Sequence, residues 1–118
     1  MEAAVIDRVL SRRAEHFLCA TIGSLQKLDC LVLLGNDRSR WWSAAAVARR
    51  IGMPVEAVTS ALEDLSRGNL LDVRVATDVV FRYAPWHRDA EVLMVEIAAQ
   101  YDANRNALAD ILVGRSPV

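Results

Sequence analysis

The side chains best equipped for chemistry in this chain are its arginines. Arg38, Arg40, Arg49, Arg50, Arg67, Arg74, Arg82 and Arg88 face only five acids over the same span, a net of +3, while the remainder of the chain carries −4. A guanidinium offers a planar fork of donors that matches phosphate or carboxylate oxygens two at a time, so such a cluster suits an anionic partner. The formal charge of the whole chain is only −1, which excludes coating of nucleic acid through bulk charge. The other reactive groups form no constellation. His16 and His87 are far apart and have no Cys or carboxylate cluster at ligand spacing, so no metal site is expected. No phosphate-cradling glycine loop and no nucleophilic serine signature occurs, so neither an enzyme nor a cofactor is expected. Cys19 and Cys30 lack disulfide or zinc spacing and read as reduced packing residues.

The elements that must position these arginines centre on residues 44–62, AAAVARRIGMPVEAVTSAL, which read as two short helices across a tight turn. Ala48 is small enough for a helix crossing, Gly52 suits a corner with positive φ, and Val47, Ile51, Val58 and Leu62 supply apolar contacts beneath it. Ser43 is a good N-cap, Trp42 and Val47 have the spacing of a hydrophobic staple, and Pro54 suits the first position of the second helix, with Glu56 near its positive end. Gly68-Asn69 stops that helix. Leu71, Val73 and Val75, then Val79, Phe81 and Tyr83, alternate as strands do. A turn around Thr77 sets Val73 opposite Phe81 and Asp72 opposite Arg82.

In W42-S43-A-A-A-V-A-R-R-I-G52, V58-x-x-A-L62-x-x-L65, G68-N-L-L71 and F81-R-Y-A-P85, the chain resembles the winged helix-turn-helix regulators of bacteria over residues 24–86. The helices around that core resemble those of regulators of the multiple-antibiotic-resistance type, and this resemblance implies dimerisation through them. The expected fold is mainly α with a small β-hairpin (α+β), a single winged-helix domain over 1–118, with 24–86 as its core and 4–22 and 88–113 as flanking dimerisation helices.

Outside the core, residues 4–22 carry Ile6, Leu10, Ala14, Phe17, Leu18 and Ile22 at helical spacing, Gly23 interrupts them, and Ser24 caps a helix over 25–35. Residues 36–42, NDRSRWW, form a polar loop. In a winged helix such a loop often adds a short extended segment to the hairpin's sheet, and Trp41 or Trp42 would then cover one end of the core. In the last helix Ala90, Met94, Ile97, Tyr101, Asn104, Leu108 and Ile111 alternate steps of four and three, a heptad seam. Asn104 either pairs with its symmetry mate or a nearby backbone group, or faces solvent where the helix frays. The expected dimer interface is Leu10, Phe17, Met94, Ile97, Tyr101, Leu108 and Ile111.

The resemblance implies that helix 54–67 enters the major groove of double-stranded DNA while the hairpin 71–83 serves as the wing. With Val55, Val58, Leu62 and Leu65 inward, Glu56, Thr59 and Ser60 are the candidates for base contacts. Arg38, Arg40, Arg49, Arg50 and Arg74 are the candidates for phosphate contacts, and Arg82 is set aside because Asp72 lies across from it. Glu63 can pair with Arg67 at i, i+4. The leading expectation is a homodimeric transcriptional regulator. Two rivals stand beside it. One is a protein-interaction module using the acidic face of helix 54–67 or the terminal helices; the other is a ligand-sensing regulator with a pocket lined by Trp86, Met94 and Tyr101. The N-terminus lacks the basic start and continuous apolar run of a signal peptide, and no stretch of about 20 apolar residues could span a bilayer, so no membrane partner and a cytoplasmic location are expected.

Overall fold

Three serines set the first helices. Ser11, Ser24 and Ser43 each take an extended backbone and accept, through the side chain, the orphan N–H of Ala14, Lys27 and Ala46 respectively. In this structure, a computed structural model that describes residues 9–113, they open α1 (Arg12–Phe17), α2 (Leu25–Gly35) and α3 (Ala44–Ile51). α1 continues as a π-helical stretch, Leu18–Ile22, which ends at Gly23 with φ 90°. Within the stretch 4–22 expected as one helix, residues 9–11 are non-helical and α1 begins at Arg12; residues 4–8 lie outside the described residues. The cause is a distant contact. The Ser11 amide and hydroxyl donate to the two carboxylate oxygens of Glu96 at 2.6 and 2.9 Å, which holds the chain out of helix while Leu10 enters the core.

α3 ends at Gly52, whose φ of 72° and ψ of 39° place it in the left-handed region, with its N–H donating to the Ala48 carbonyl at 2.8 Å. α4 (Val55–Arg67) starts one residue later than expected, because Pro54 keeps an extended ψ of 141° and serves as the N-cap. Val58, Ala61, Leu62 and Leu65 are buried, whereas Val55, expected inward, is exposed in the first turn, where no neighbouring turn precedes it. At the far end the positive φ falls on Asn69 (65°) rather than Gly68, a conformation Asn tolerates.

β1 (Trp42–Ser43), β2 (Leu71–Val75) and β3 (Val79–Tyr83) form one antiparallel sheet in the order β1-β3-β2. Val73 faces Phe81 and Asp72 faces Arg82 as the alternation indicated, and Trp42 pairs with Phe81. Trp42 is the tryptophan that closes the core, at 2% exposure. The architecture is thus mostly helical with a small three-stranded sheet, α+β.

α5 (Arg88–Leu112) corrects the expected seam. Leu10, Met94, Ile97 and Leu108 are buried in the chain's own core, and Phe17, Tyr101 and Ile111 pack partly buried against it. The heptad stripe is the one by which α5 packs on α1 and α2, which takes Leu10, Met94, Ile97 and Leu108 into the chain's own core and leaves Phe17, Tyr101 and Ile111 partly exposed. The Tyr101 hydroxyl donates to Asp29 at 2.7 Å, and Arg105 donates to both oxygens of the same carboxylate at 3.1 and 2.9 Å, tying α5 to α2. Asn104 is exposed and non-helical (φ −158°, ψ 69°), and its side-chain oxygen accepts the Ala107 N–H at 3.3 Å. It bends α5 and recaps the segment beyond rather than fixing a seam. Among the described residues no single helix is long and apolar enough to cross a membrane.

Candidate nucleic-acid interface

Alternation along the sheet decides where the arginines go. Arg74 and Arg82 lie on the face of the hairpin opposite Val73 and Phe81, and Trp41, one residue before β1, joins that face because Trp42 takes the other. The guanidinium carbons of Arg74 and Arg82 stand 4.4 and 4.5 Å from the centre of the Trp41 ring. A second group forms on Trp42: Arg40 lies 3.7 Å from its ring centre and Arg50, in the last turn of α3, lies 5.6 Å away. Among the described residues the buried Trp42 Nε1 has no hydrogen-bond partner, and the ring's contacts with these two arginines are made through its face. Each cation on an aromatic face contributes about 0.5–1 kcal/mol at an exposed site. The stacking also restricts rotamers while leaving donors on the guanidinium edge available to an incoming oxyanion.

The expected phosphate set divides. Arg40, Arg50 and Arg74 are braced by the tryptophans, and Arg49 is exposed beside Arg50 at the end of α3. Arg38 is committed elsewhere: it donates to Glu91 at 2.6 Å and lies 5.0 Å from the Tyr83 ring centre, and the Glu91 hydrogen bond raises its pKa. Arg82 does bond Asp72 at 2.9 Å, yet it stays within the Trp41 group. Sequence reasoning left open whether Trp41 or Trp42 is the lid and missed the stacking of Arg74 and Arg82 on Trp41. The signal was present in the RSRWW run and in a period-2 reading that puts Trp41 on the face of Arg82.

α4 presents a different surface. Glu56, Ser60 and Glu63 are exposed, whereas Thr59 is half-buried and its hydroxyl donates to the Val55 carbonyl at 2.8 Å. Arg67 pairs with Asp64 at 2.7 Å rather than with Glu63, and Asp64 also pairs with Lys27 of α2 at 2.9 Å. The Lys27 hydrogen bond, reinforced by Arg67, holds the Asp64 carboxyl below the ordinary value of 3.8.

The three residues expected to share a ligand pocket do not. Met94 is buried, Tyr101 is bonded to Asp29, and Trp86 borders a surface depression of about 560 Å³ with Pro85, His87, Arg88, Glu91 and Val92. Burial, and then Asp29, pushes the Cys30 thiol up to about 12, so it is not disposed to act as a thiolate; Cys19, expected as a packing residue, is exposed, and desolvation and then Glu15 raise its thiol. Among the described residues no group of three His, Cys, Asp or Glu side chains could hold a metal ion.

No family model, curated protein or solved structure matches this chain.

Proposed function

We propose that this chain is a winged helix-turn-helix protein that binds double-stranded DNA as a homodimeric transcriptional regulator in the cytoplasm. The observation that carries the reading is the pair of arginine groups braced on Trp41 and Trp42, which gather positive charge on an otherwise acidic chain. The left-handed corner at Gly52 and the hairpin that follows α4 support it. In this reading α4 lies in the major groove, with Glu56 and Ser60 reaching base edges, while Arg40, Arg49, Arg50, Arg74 and Arg82 hold the flanking phosphates. Glu56 accepts from a cytosine amino group; Ser60 donates or accepts. Thr59 contributes less, because its hydroxyl proton is already given to Val55.

A gel-shift titration with the DNA upstream of its own coding sequence tests this. Arg74→Ala is expected to weaken binding to every duplex alike, and Ser60→Ala to change the ranking of sites. Absence of a shift at any site would remove the reading.

A second reading has its own support. The exposed α4 face is acidic, and Val73, Val75 and Val79 stand exposed towards the tip of the hairpin, a surface that suits a protein better than a phosphate backbone. Under that reading Glu63→Lys, with Glu56→Lys, abolishes capture of a basic protein partner.

A further inference from the structure

The buried seam of α5 leaves a second stripe on its opposite side. Arg88, Val92, Val95, Ala99 and Asp102 follow steps of four and three, so they share one face, and all five are exposed. Val92 and Val95 are 60% and 66% exposed, a cost in apolar surface that the chain does not relieve by itself. The ends of the stripe differ in sign. Arg88 and Asp102 form no ion pair among the described residues, and they stand two helical turns, about 10 Å, to either side of Val95. Just before Arg88, Trp86 is 70% exposed, whereas at the other end Asp102 is followed by the small Ala103 before the bend at Asn104.

We propose that two copies of this chain pair through this stripe, with their α5 helices antiparallel about a two-fold axis near Val95. That arrangement sets Arg88 against the partner's Asp102 at both ends and lays Trp86 over the partner's Ala103, large against small. A parallel pair would oppose Arg88 to Arg88 and Asp102 to Asp102. The valines supply the apolar contact, and the charges select the direction, since like charges across an interface oppose the wrong register. The inference deepens the two-chain reading proposed above and rests on it, while replacing the buried seam with a face that is open.

Sedimentation velocity on the full chain is expected to show a dimer at micromolar concentration. Val95→Glu should give a monomer that still unfolds cooperatively, because this side chain lies outside the core, with a Tm that no longer depends on protein concentration. Arg88→Asp and Asp102→Arg should each raise the dimer Kd about tenfold. Mixing the two single variants, or combining them in one chain, should restore it. A monomeric wild type, a dimer indifferent to Val95→Glu, or charge variants that fail to rescue each other would overturn the proposal. Polarisation with duplex DNA on the same samples separates the two readings. A monomer that still binds DNA overturns only the pairing, whereas a rescued dimer that never binds DNA supports the pairing and overturns the regulator.

Discussion

The two surfaces either side of the Gly52 corner carry opposite charge. On one, Arg40, Arg50, Arg74 and Arg82 are stacked on tryptophans; on the other, α4 shows Glu56 and Glu63 with no basic group between Arg50 and Arg67. A surface that must attract any phosphate gains from fixed guanidinium groups, while a surface that discriminates among sequences gains from groups that repel all but the right contact. Under the DNA-binding function proposed above, the contrast implies a division of labour in which affinity comes from the sheet and the end of α3, and discrimination from α4.

That division depends first on the corner joining the two surfaces. Ala48 is buried against α4, so Ala48→Leu should overpack the crossing and cost about 1–3 kcal/mol. A Cβ at Gly52 would meet nothing within 4 Å, so the cost of Gly52→Val is backbone strain alone, about 1–2 kcal/mol, and Gly52→Asn should recover most of it. Urea unfolding checks both; wild-type midpoints would mean that the turn does not hold α3 to α4.

The contrast itself can be inverted. Glu56→Lys with Glu63→Lys should strengthen binding to random duplex DNA several-fold and blunt its preference among sites, as read by competition titration. Unchanged selectivity would show that α4 does not read bases. A smaller loss is expected for Trp41→Ala, which frees Arg74 and Arg82 from their platform: about 0.5–1 kcal/mol per arginine, with an unchanged salt slope because the charges remain. A slope reduced by a whole contact would instead mean that the tryptophan positions a phosphate directly.

The smallest effect concerns pH. Asp64 has its folded pKa lowered, first by Lys27, so its contribution is present above the ordinary value of 3.8 and lost as pH falls through the lower folded value. Stability should therefore decline as pH falls below about 3.8, and Lys27→Ala should flatten that decline in urea melts. An identical acid limb in the variant would show that the bridge from α2 does not hold the acidic helix.

Much of the fold was legible because it follows local periods. The hairpin register came from alternation about Thr77, the corner from Gly52, and the helix starts from Ser24 and Ser43. What escaped was set by contacts distant in sequence. Glu96 holds Ser11 from 85 residues away, and a heptad of apolar residues does not say whether its own chain or another covers it. The site was half legible. Arginine positions were visible in the sequence, but Arg38 is withdrawn by Glu91, and the stacking on Trp41 depends on which face of the sheet each residue takes.

The most direct test of the central claim is the affinity for a random-sequence duplex measured by fluorescence polarisation across a salt series. If the braced arginines neutralise phosphates, log Kd should rise linearly with log salt, and Arg50→Ala and Arg74→Ala should each lower the slope by about 0.9. Absence of salt-sensitive binding in the wild type, or a slope indifferent to both substitutions, would contradict it.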